Sequence, residues 1–441
     1  MLAYAAPMVP IWMLHTPALS VLPGLYASLG GVSLAAIGTI LVFSRVLDGL
    51  TDPLIGAMSD RTNSRIGHRK PWIIAGAFLC AIGVWFWFRP GPETGAIYFL
   101  LSSIAVYIGW TMVEIPHGAW LSELADDYDE RSRLSGFRTT AIYLGYVVFW
   151  LGPFLPMFDS TELTAEVTAL LSYVVIGLLA ITVLWAVLKV PEGINARPSK
   201  VNLKDAWQGL LKNKPLRVFT AMLLSSWIAS GMVAGLYFFF ITNYLVIPDK
   251  FGHIGLSVAA ISFASASFWA WLARRIGKHR LLAICNFSVV ITLLGMALIR
   301  PGPTAFPAML VVFSLSAMFG SGSTVANYAL MADIVDYDTL KTGHNSAGNY
   351  YALITLFQKV GLGAGAGLAL FIAALFGFDA QESNEGTALV GFFIAFLAIP
   401  IILNLLATAL AIVFPINRRR HRVIRKRLDQ RALRESGATS G

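Results

Sequence analysis

The sequence predicts an all-α protein that crosses a membrane many times. Of its 441 residues, 56% are hydrophobic and only 13% are charged, against about 25% charged residues in a typical soluble domain. The mean hydropathy of +0.68 is too high for a water-soluble chain of this length. Twelve apolar runs are long enough to cross a bilayer, since a spanning helix needs about 20 mostly apolar residues.

The expected spans follow one another along almost the whole chain. They fall at 3–27, 33–57, 72–88, 97–120, 137–157, 168–189, 217–244, 254–273, 280–299, 304–331, 347–377 and 387–415. The first run contains Pro7, Pro10, Pro17 and Pro23. Because proline removes a backbone donor and clashes with the preceding turn, we expect this first helix to be kinked.

Lysine and arginine are concentrated in every second loop. The loops on the other side hold only Arg89, Lys250 and Arg300. Since positively charged loops stay in the cytoplasm, both termini are expected there. The N-terminus runs into an apolar stretch without a basic leader, so no cleavable signal peptide is expected. We therefore expect a multi-pass protein of the plasma membrane, which in a bacterium is the inner membrane.

A polar, proline-punctuated loop divides the chain into two halves. We expect a six-helix bundle at 1–189, a cytoplasmic linker at 190–216, a second six-helix bundle at 217–415 and a basic cytoplasmic tail at 416–441. Basic loops occupy corresponding places in the two halves, which is typical of a two-bundle transporter. We expect the tail to be a solvated anchor against anionic lipid, although a regulatory role is an alternative.

Several classes of protein are disfavoured by the sequence. The two cysteines, Cys80 and Cys285, lie far apart in apolar runs and offer neither a disulfide framework nor a metal cluster. We find no nucleophile–base pair, phosphate-binding loop or loop long enough for an added domain. The chain is therefore not expected to be an enzyme, to hold a cofactor or to bind nucleic acid.

Two acids lie one turn apart inside the second run. Asp48 and Asp52 share one helical face, and carboxylates that close repel each other unless a positive group lies between them. Hard cations prefer oxygen ligands, to which Thr51 adds a hydroxyl. We therefore expect a site for sodium or a proton here. The alternative is that Arg45 neutralises Asp48, although one arginine cannot fully serve both acids.

The fourth run carries a second acid, Glu114, with Thr111 on the same helical face. Because an unpaired charge is costly inside a membrane, Glu114 predicts a polar cavity. The alternative is a structural ion pair with Arg138, at the start of the fifth run. Arg138 is a further candidate for a functional role, unless it extends to the membrane surface instead.

Three more side chains are candidates for the same cavity. Lys359, in the eleventh run, lies in apolar sequence and must face a partner or water. Trp12 could stack on a solute ring, although most membrane aromatics pack or anchor interfaces. His15 is either a hydrogen-bonded core residue or a part of the polar cavity.

Four stretches together resemble the glycoside–pentoside–hexuronide:cation symporters of the major facilitator superfamily. They are Arg45-Val-Leu-Asp-Gly-Leu-Thr-Asp-Pro53, the loop Gly56-Ala-Met-Ser-Asp-Arg-Thr-Asn-Ser-Arg-Ile-Gly-His-Arg-Lys-Pro-Trp72, Thr111-Met-Val-Glu-Ile-Pro116 and Met331-Ala-Asp-Ile-Val-Asp-Tyr337. Since they occur in both halves, the resemblance covers nearly the whole chain. It implies the major facilitator fold, with a solute site between two six-helix bundles.

The resemblance also implies roles for individual residues. It assigns cation binding to Asp48, Asp52, Thr51 and Thr111. It assigns solute binding to Glu114 and Arg138, with Lys359 close to both sites. Gating falls to the loop residues Gly56, Asp60, Arg61, Arg65, Gly67, Arg69 and Lys70. We expect the charged members of this gating loop to form ion pairs between the bundles that hold one conformation.

This chain departs from the family pattern in its sugar pocket. Trp12 stands where the family has a sugar-binding aspartate, and Ile11 where it has the preceding lysine. Gly118 replaces a tryptophan that stacks on sugar, and the acid at Glu114 is one methylene longer. The resemblance therefore implies a retained cation site and a rebuilt solute pocket.

The sequence thus predicts a secondary active transporter that works by alternating access. It would carry a sugar, glycoside or uronate-like small-molecule solute together with sodium or a proton, as a monomer in contact with membrane lipid. Two alternatives remain open at this point: a cation-coupled carrier of lysolipids or other amphiphiles, and an uncoupled facilitator.

Overall fold

Twelve long helices make up the body of the protein. The computed structural model describes the backbone of residues 1–29, 31–124, 128–192, 203–343 and 347–438, and within these ranges it contains helices and no strand. The helices are α1 (Leu2–Ser28), α2 (Leu34–Arg61), α3 (Lys70–Trp87), α4 (Ala96–Leu124), α5 (Tyr128–Leu151), α6 (Ala165–Lys189), α7 (Lys214–Tyr244), α8 (Phe251–Ile276), α9 (Lys278–Ala297), α10 (Ala305–Thr342), α11 (Ala347–Leu375) and α12 (Thr387–Ile412). The all-α membrane fold expected from the sequence is confirmed.

Eleven helices of the described chain are long and apolar enough to cross a membrane. Of the twelve helices, α5 is the one that is not apolar enough, because its first turns are rich in charged residues. It begins at Tyr128, well before the expected fifth span at 137–157, and it ends at Leu151 before a short helical turn at Gly152–Phe154. The boundaries predicted for this span were wrong because charged residues extend the helix beyond its apolar part.

The expected kinks in α1 are present. The helix is divided into Leu2–Ala5, Met8–Met13, a widened π-helical turn at Pro17–Val21 and Leu22–Ser28. The breaks coincide with prolines, which cannot donate the backbone hydrogen bond of a regular helix. This irregular helix carries Trp12 and His15 into the centre of the bundle.

Two further helices lie outside the twelve. A linker helix covers Leu203–Lys212 and a tail helix covers Arg418–Ala438. Residues 193–202 of the expected linker at 190–216, and residues 439–441 of the expected tail, lie outside the described residues. The division of the chain at these boundaries stays a prediction.

Small residues bring the helices of each half into close contact. A Cβ added to Gly109 of α4 would lie 2.5 Å from the backbone nitrogen of Cys80 on α3. In the other half, a Cβ on Gly231 of α7 would lie 2.0 Å from the carbonyl oxygen of Leu362 on α11. Helices in lipid associate mainly through van der Waals packing, so such close approaches stabilise each bundle.

The two halves meet along α2 and α11, which run antiparallel. Gly38 and Gly367 face each other, and a Cβ on either would lie 2.6 or 2.5 Å from the carbonyl oxygen of the other. Further along this seam, Gly363 packs on the side chain of Arg45. We call the end of the bundle with the gating loop and the tail helix the basic end, and the other end the opposite end. The glycine contact lies toward the opposite end.

Two other helix pairs join the halves toward the opposite end. A Cβ added to Gly24 of α1 would lie 2.2 Å from the ring of Phe238 on α7. A Cβ added to Gly255 of α8 would lie 2.3 Å from the indole of Trp150 on α5. The structure is therefore tightly closed at the opposite end.

We predict that Gly367→Leu destabilises the contact between the halves. Overpacking a close contact typically costs about 1–3 kcal/mol, and here the added side chain meets backbone that cannot give way. Gly177→Leu on α6 is the matched control, since nothing lies within 4 Å of an added Cβ there. Thermal unfolding in detergent should show a lower midpoint for Gly367→Leu alone, and equal midpoints for the two variants would contradict the prediction.

Candidate cation and solute site

Three helices meet at the carboxylate of Asp52. Lys359 of α11 places its Nζ 2.7 Å from Asp52 Oδ2, and Thr111 of α4 donates its hydroxyl hydrogen to Asp52 Oδ1 at 3.0 Å. Both side chains of the ion pair are less than one-fifth exposed. Because Asp52 lies on α2 and Lys359 on α11, this ion pair joins the two halves of the protein.

The second acid of α2 has its own positive partner. Arg45 Nη1 lies 2.9 Å from Asp48 Oδ2, and Asp48 is only 4% exposed. The guanidinium of Arg45 also lies over the ring of Tyr107, 4.2 Å from its centroid. The neutralisation of Asp48 by Arg45, which was the alternative interpretation of the sequence, is therefore what the structure shows.

The two acids of α2 have two bases as partners. The expectation that a single arginine must balance both acids was wrong, because Lys359 supplies a second base from the other half of the chain. A cation at Asp52 would have to replace the lysine ammonium. Thr51 does not contact either carboxylate in this conformation, because its hydroxyl donates to the backbone oxygen of Asp48 at 3.5 Å.

Glu114 lies between the ion pair of Asp52 and the aromatic side chains of α1 and α4. Trp110, one turn earlier on α4, donates its indole hydrogen to Glu114 Oε2 at 2.8 Å. Lys359 Nζ and Arg138 Nη2 each lie 3.9 Å from a Glu114 oxygen, which is too far for a hydrogen bond. The acid is thus oriented by Trp110 and lies within the electrostatic reach of two bases.

Aromatic rings form one wall beside Glu114. Trp12 stacks on His15 with ring centroids 5.4 Å apart, and Trp110 and Tyr146 each lie 5.9 Å from Trp12. Trp12 Nε1 and Arg138 Nε are buried without a hydrogen-bond partner. Buried donors normally find an acceptor, so this wall is suited to a ligand that carries oxygen acceptors.

Tyr146 was missed in the sequence, although a signal for it exists. It lies eight residues after Arg138 on α5, and residues so spaced share one face of a helix. Contacts through Trp110 and Glu114 connect Trp12, Arg138 and Lys359, and His15 stacks on Trp12; that these five side chains line one cavity stays a prediction. Their roles in binding stay a prediction.

The gating loop differs from expectation in the partners of its charges. Arg69 lies 2.5 Å from Asp60 and 2.7 Å from Glu123, both in the same half of the chain. His68 is 3.1 Å from the other oxygen of Glu123. The expectation that Arg69 and Asp60 pair with the other bundle was wrong for this conformation, because Glu123, a buried acid on α4, holds the arginine.

The other residues of the gating loop lie at or near the basic end. Arg61 and Arg65 are exposed, and Lys70 lies over the ring of Trp120 at 5.8 Å. Gly67 has a φ of 102°, which favours glycine. Gly56 lies inside α2, where an added Cβ would come 3.6 Å from Ile115.

A second cluster of charges fixes the tail helix at the basic end. His421 lies 3.2 Å from Asp333 and 2.9 Å from Asp336 of α10. Among the described histidine, cysteine, aspartate and glutamate side chains, these three lie close enough together to hold a metal ion. Because Lys278 also contacts Asp333 and Arg425 contacts Asp336, the acids are already neutralised and the cluster holds the tail against α10.

Sequence comparison finds transport proteins over most of the chain. A family model described as "MFS/sugar transport protein" matches residues 3–418. The uncharacterized symporter YnaJ of Bacillus subtilis (strain 168) is 26% identical, over 87% of this chain and 84% of that protein. The glucuronide carrier protein homolog of Escherichia coli (strain K12) is 25% identical, over 92% and 90%. The putative glycoside/cation symporter YagG of the same strain is 24% identical, over 86% and 83%.

Structural comparison finds the same fold among solved transporters. A bacterial homologue of the human lysosomal transporter Spinster, in an inward-facing and unoccupied conformation, aligns with a TM-score of 0.68. The alignment covers 97% of both chains at 14% sequence identity. At this identity the comparison bears on the fold alone, and it agrees with a twelve-helix transporter architecture.

We predict that Lys359→Met destabilises the protein and that Asp52→Asn added to it restores most of the loss. Removing one partner of a buried ion pair typically costs about 3–5 kcal/mol, whereas removing both is often near neutral. Lys250→Met is the control, since Lys250 pairs with Asp249 in an exposed position. Thermal unfolding in detergent measures this, and a double variant no more stable than Lys359→Met would contradict it.

Proposed function

Because the chain belongs to the MFS/sugar transport protein family, we propose that it is a cation-coupled symporter of a sugar, glycoside or uronate. It is a multi-pass membrane transporter and not an enzyme. The similarity to proteins named as symporters supports coupling to a cation, either sodium or a proton. We place it in the plasma membrane, the inner membrane of a bacterium, with both termini in the cytoplasm, as the distribution of lysine and arginine favours.

The observation that carries the proposal is the contact of Asp52 with both halves. A cation bound by Asp52 would compete with Lys359 for the same carboxylate, since the ammonium lies 2.7 Å from it. Displaced from Asp52, the ammonium still has Glu114 as a neighbour, 3.9 Å away before any movement. Cation binding would in this way change both the contact between the halves and the charge beside the solute.

Coupling follows from this competition. A solute that binds the cavity better when Lys359 has moved toward Glu114 also raises the affinity of Asp52 for the cation, because linkage between two sites is reciprocal. In our proposal Asp48 and Asp52 bind the cation with Thr111, while Glu114, Arg138, Trp12, His15 and Lys359 form the solute pocket. Thr51 would join the cation site only after its hydroxyl leaves the backbone oxygen of Asp48.

The chemistry of the pocket supports a solute rich in oxygen. Trp12 Nε1 and Arg138 Nε are donors without acceptors, and both hydroxyl and carboxylate oxygens can accept from them. The broad face of Trp12 suits a sugar ring or an aglycone. The similarity to a glucuronide carrier homolog favours glycosides and uronates over lysolipids as the first solutes to test.

Uptake by reconstituted vesicles tests the proposal. We expect at least one glycoside or uronate to accumulate against its gradient when a sodium or proton gradient is imposed, and not without one. Accumulation of none of them under either gradient would contradict the proposal. Uptake that only equilibrates, with or without a gradient, would indicate an uncoupled facilitator.

We predict that Asp48→Asn and Asp52→Asn each abolish accumulation, because each removes a carboxylate from the cation site. Asp159→Asn, in an exposed loop, is the matched acid-to-amide control and should accumulate solute normally. If both Asp48→Asn and Asp52→Asn still concentrate solute in the same vesicles, the coupling site lies elsewhere.

Solute and cation binding should separate in variants of the pocket. We predict that Glu114→Gln and Arg138→Ala weaken solute binding at least tenfold, equal to about 1.4 kcal/mol, while cation binding persists. Calorimetric titration with each ligand alone measures the two affinities. Unchanged solute affinity in both variants would reduce Glu114 and Arg138 to a structural ion pair.

A further inference from the structure

We propose that Thr161 acts as a clasp that holds the opposite end of the transporter closed. Thr161 lies in the loop between α5 and α6, and it contacts the start of α8 in the other half. Its hydroxyl donates to the backbone oxygen of Asp249 at 2.6 Å, and its own backbone oxygen accepts from the nitrogen of Gly252 at 3.1 Å. The hydroxyl oxygen also lies 3.0 Å from His253 Nδ1.

The direction of the third hydrogen bond follows from the first. A threonine hydroxyl has a single hydrogen, and a backbone carbonyl can only accept, so that hydrogen goes to Asp249. His253 must therefore carry a hydrogen on Nδ1 and donate it to Thr161 Oγ1. Thr161 therefore makes three hydrogen bonds to the other half, two through its hydroxyl and one through its backbone carbonyl.

The imidazole is held in place by rings from both halves. Phe154, in the turn after α5, meets the ring of His253 edge to face at 4.8 Å, and Phe306 of α10 lies 6.0 Å away. Gly252 allows the backbone contact, because an added Cβ would lie 2.9 Å from Thr161 Cβ. Phe306 thus positions His253 from its own half, and Phe154 adds a ring contact when the two halves meet.

The hydrogen bonds of Thr161 differ from the other contacts between the halves at this end. Gly24 with Phe238 and Gly255 with Trp150 are close apolar contacts, which open only by exposing surface. Thr161 is half-buried and its partners Asp249 and His253 are exposed, so water can replace the two hydrogen bonds of the hydroxyl as the halves separate. Each net hydrogen bond then favours the closed form roughly 2- to 12-fold, enough to set an equilibrium without locking it.

A cysteine placed behind the clasp reports whether this end opens. Ser20 lies one turn before Gly24 on α1, is 4% exposed and has a buried hydroxyl without a hydrogen-bond partner, so Ser20→Cys is a conservative probe. The native Cys80 and Cys285 are buried and are replaced by alanine. The rate of labelling by a maleimide is measured on purified protein in detergent, without solute.

We expect Thr161→Val, which keeps the shape but loses the hydroxyl, to raise the labelling rate at Ser20→Cys, by roughly 2- to 12-fold for each of the two hydrogen bonds lost. Thr161→Ser keeps the hydroxyl and should label at the parent rate. Ser383→Cys, in an exposed loop, should label equally in every variant and controls for folding and reagent. An unchanged rate in Thr161→Val, or the same increase in Thr161→Ser, would overturn the proposal.

A second variant tests the same hydrogen bond from its other partner. His253→Phe keeps the ring packing but cannot donate to Thr161, so it should also speed labelling. Because both substitutions remove that one bond, the double variant should gain less than the product of the two increases. Independent, multiplying effects or no effect of His253→Phe would contradict the clasp, even if Thr161→Val failed to fold. The outcome is independent of which solute or cation the protein carries.

Discussion

The ion pair between Asp52 and Lys359 joins the two halves of the protein near the middle of α2 and α11. An unpaired charge is costly at this depth, so each residue needs the other as long as neither has another partner. The pair therefore stabilises the contact between α2 and α11 only while no cation competes with Lys359 for the carboxylate. In the proposed coupling, contact between the halves and binding of a cation depend on the same carboxylate.

Both members of the ion pair have a further polar neighbour. Thr111 orients the carboxylate from α4, and Glu114 lies within reach of the ammonium when it leaves. Toward the opposite end, the facing backbones of Gly38 and Gly367 form a contact without charge. The seam thus has a fixed part, made of glycine backbone, and an exchangeable part, made of charged side chains.

The sequence carries the architecture and much of the candidate site. Apolar run length predicts the helices because every backbone group in lipid must be satisfied within its own segment. Likewise, Asp48, Asp52, Glu114 and Lys359 are recognisable because a charge in an apolar run requires a reason. The structure confirms the helices and gives each of these charges an ion-pair partner, while their roles in binding stay predictions.

Partners that are distant in sequence could not be predicted in the same way. Lys359 reaches Asp52 across 307 positions, and helical periodicity gives no information about contacts between helices that far apart. The partners of Arg69 were missed for a related reason: Glu123 lies 54 positions away on α4, and helical periodicity does not predict that contact either.

A structure of the protein determined with saturating sodium tests the central claim most directly. If Asp52 exchanges its partner, Lys359 Nζ will have left Asp52 Oδ2 for Glu114, and the carboxylates of Asp48 and Asp52 will face the ion. If the coupling ion is a proton, sodium will be absent, and Lys359 Nζ will instead turn to Glu114 when Asp52 is replaced by asparagine. A Lys359–Asp52 pair still at 2.7 Å, with sodium bound elsewhere in the protein, would contradict the account.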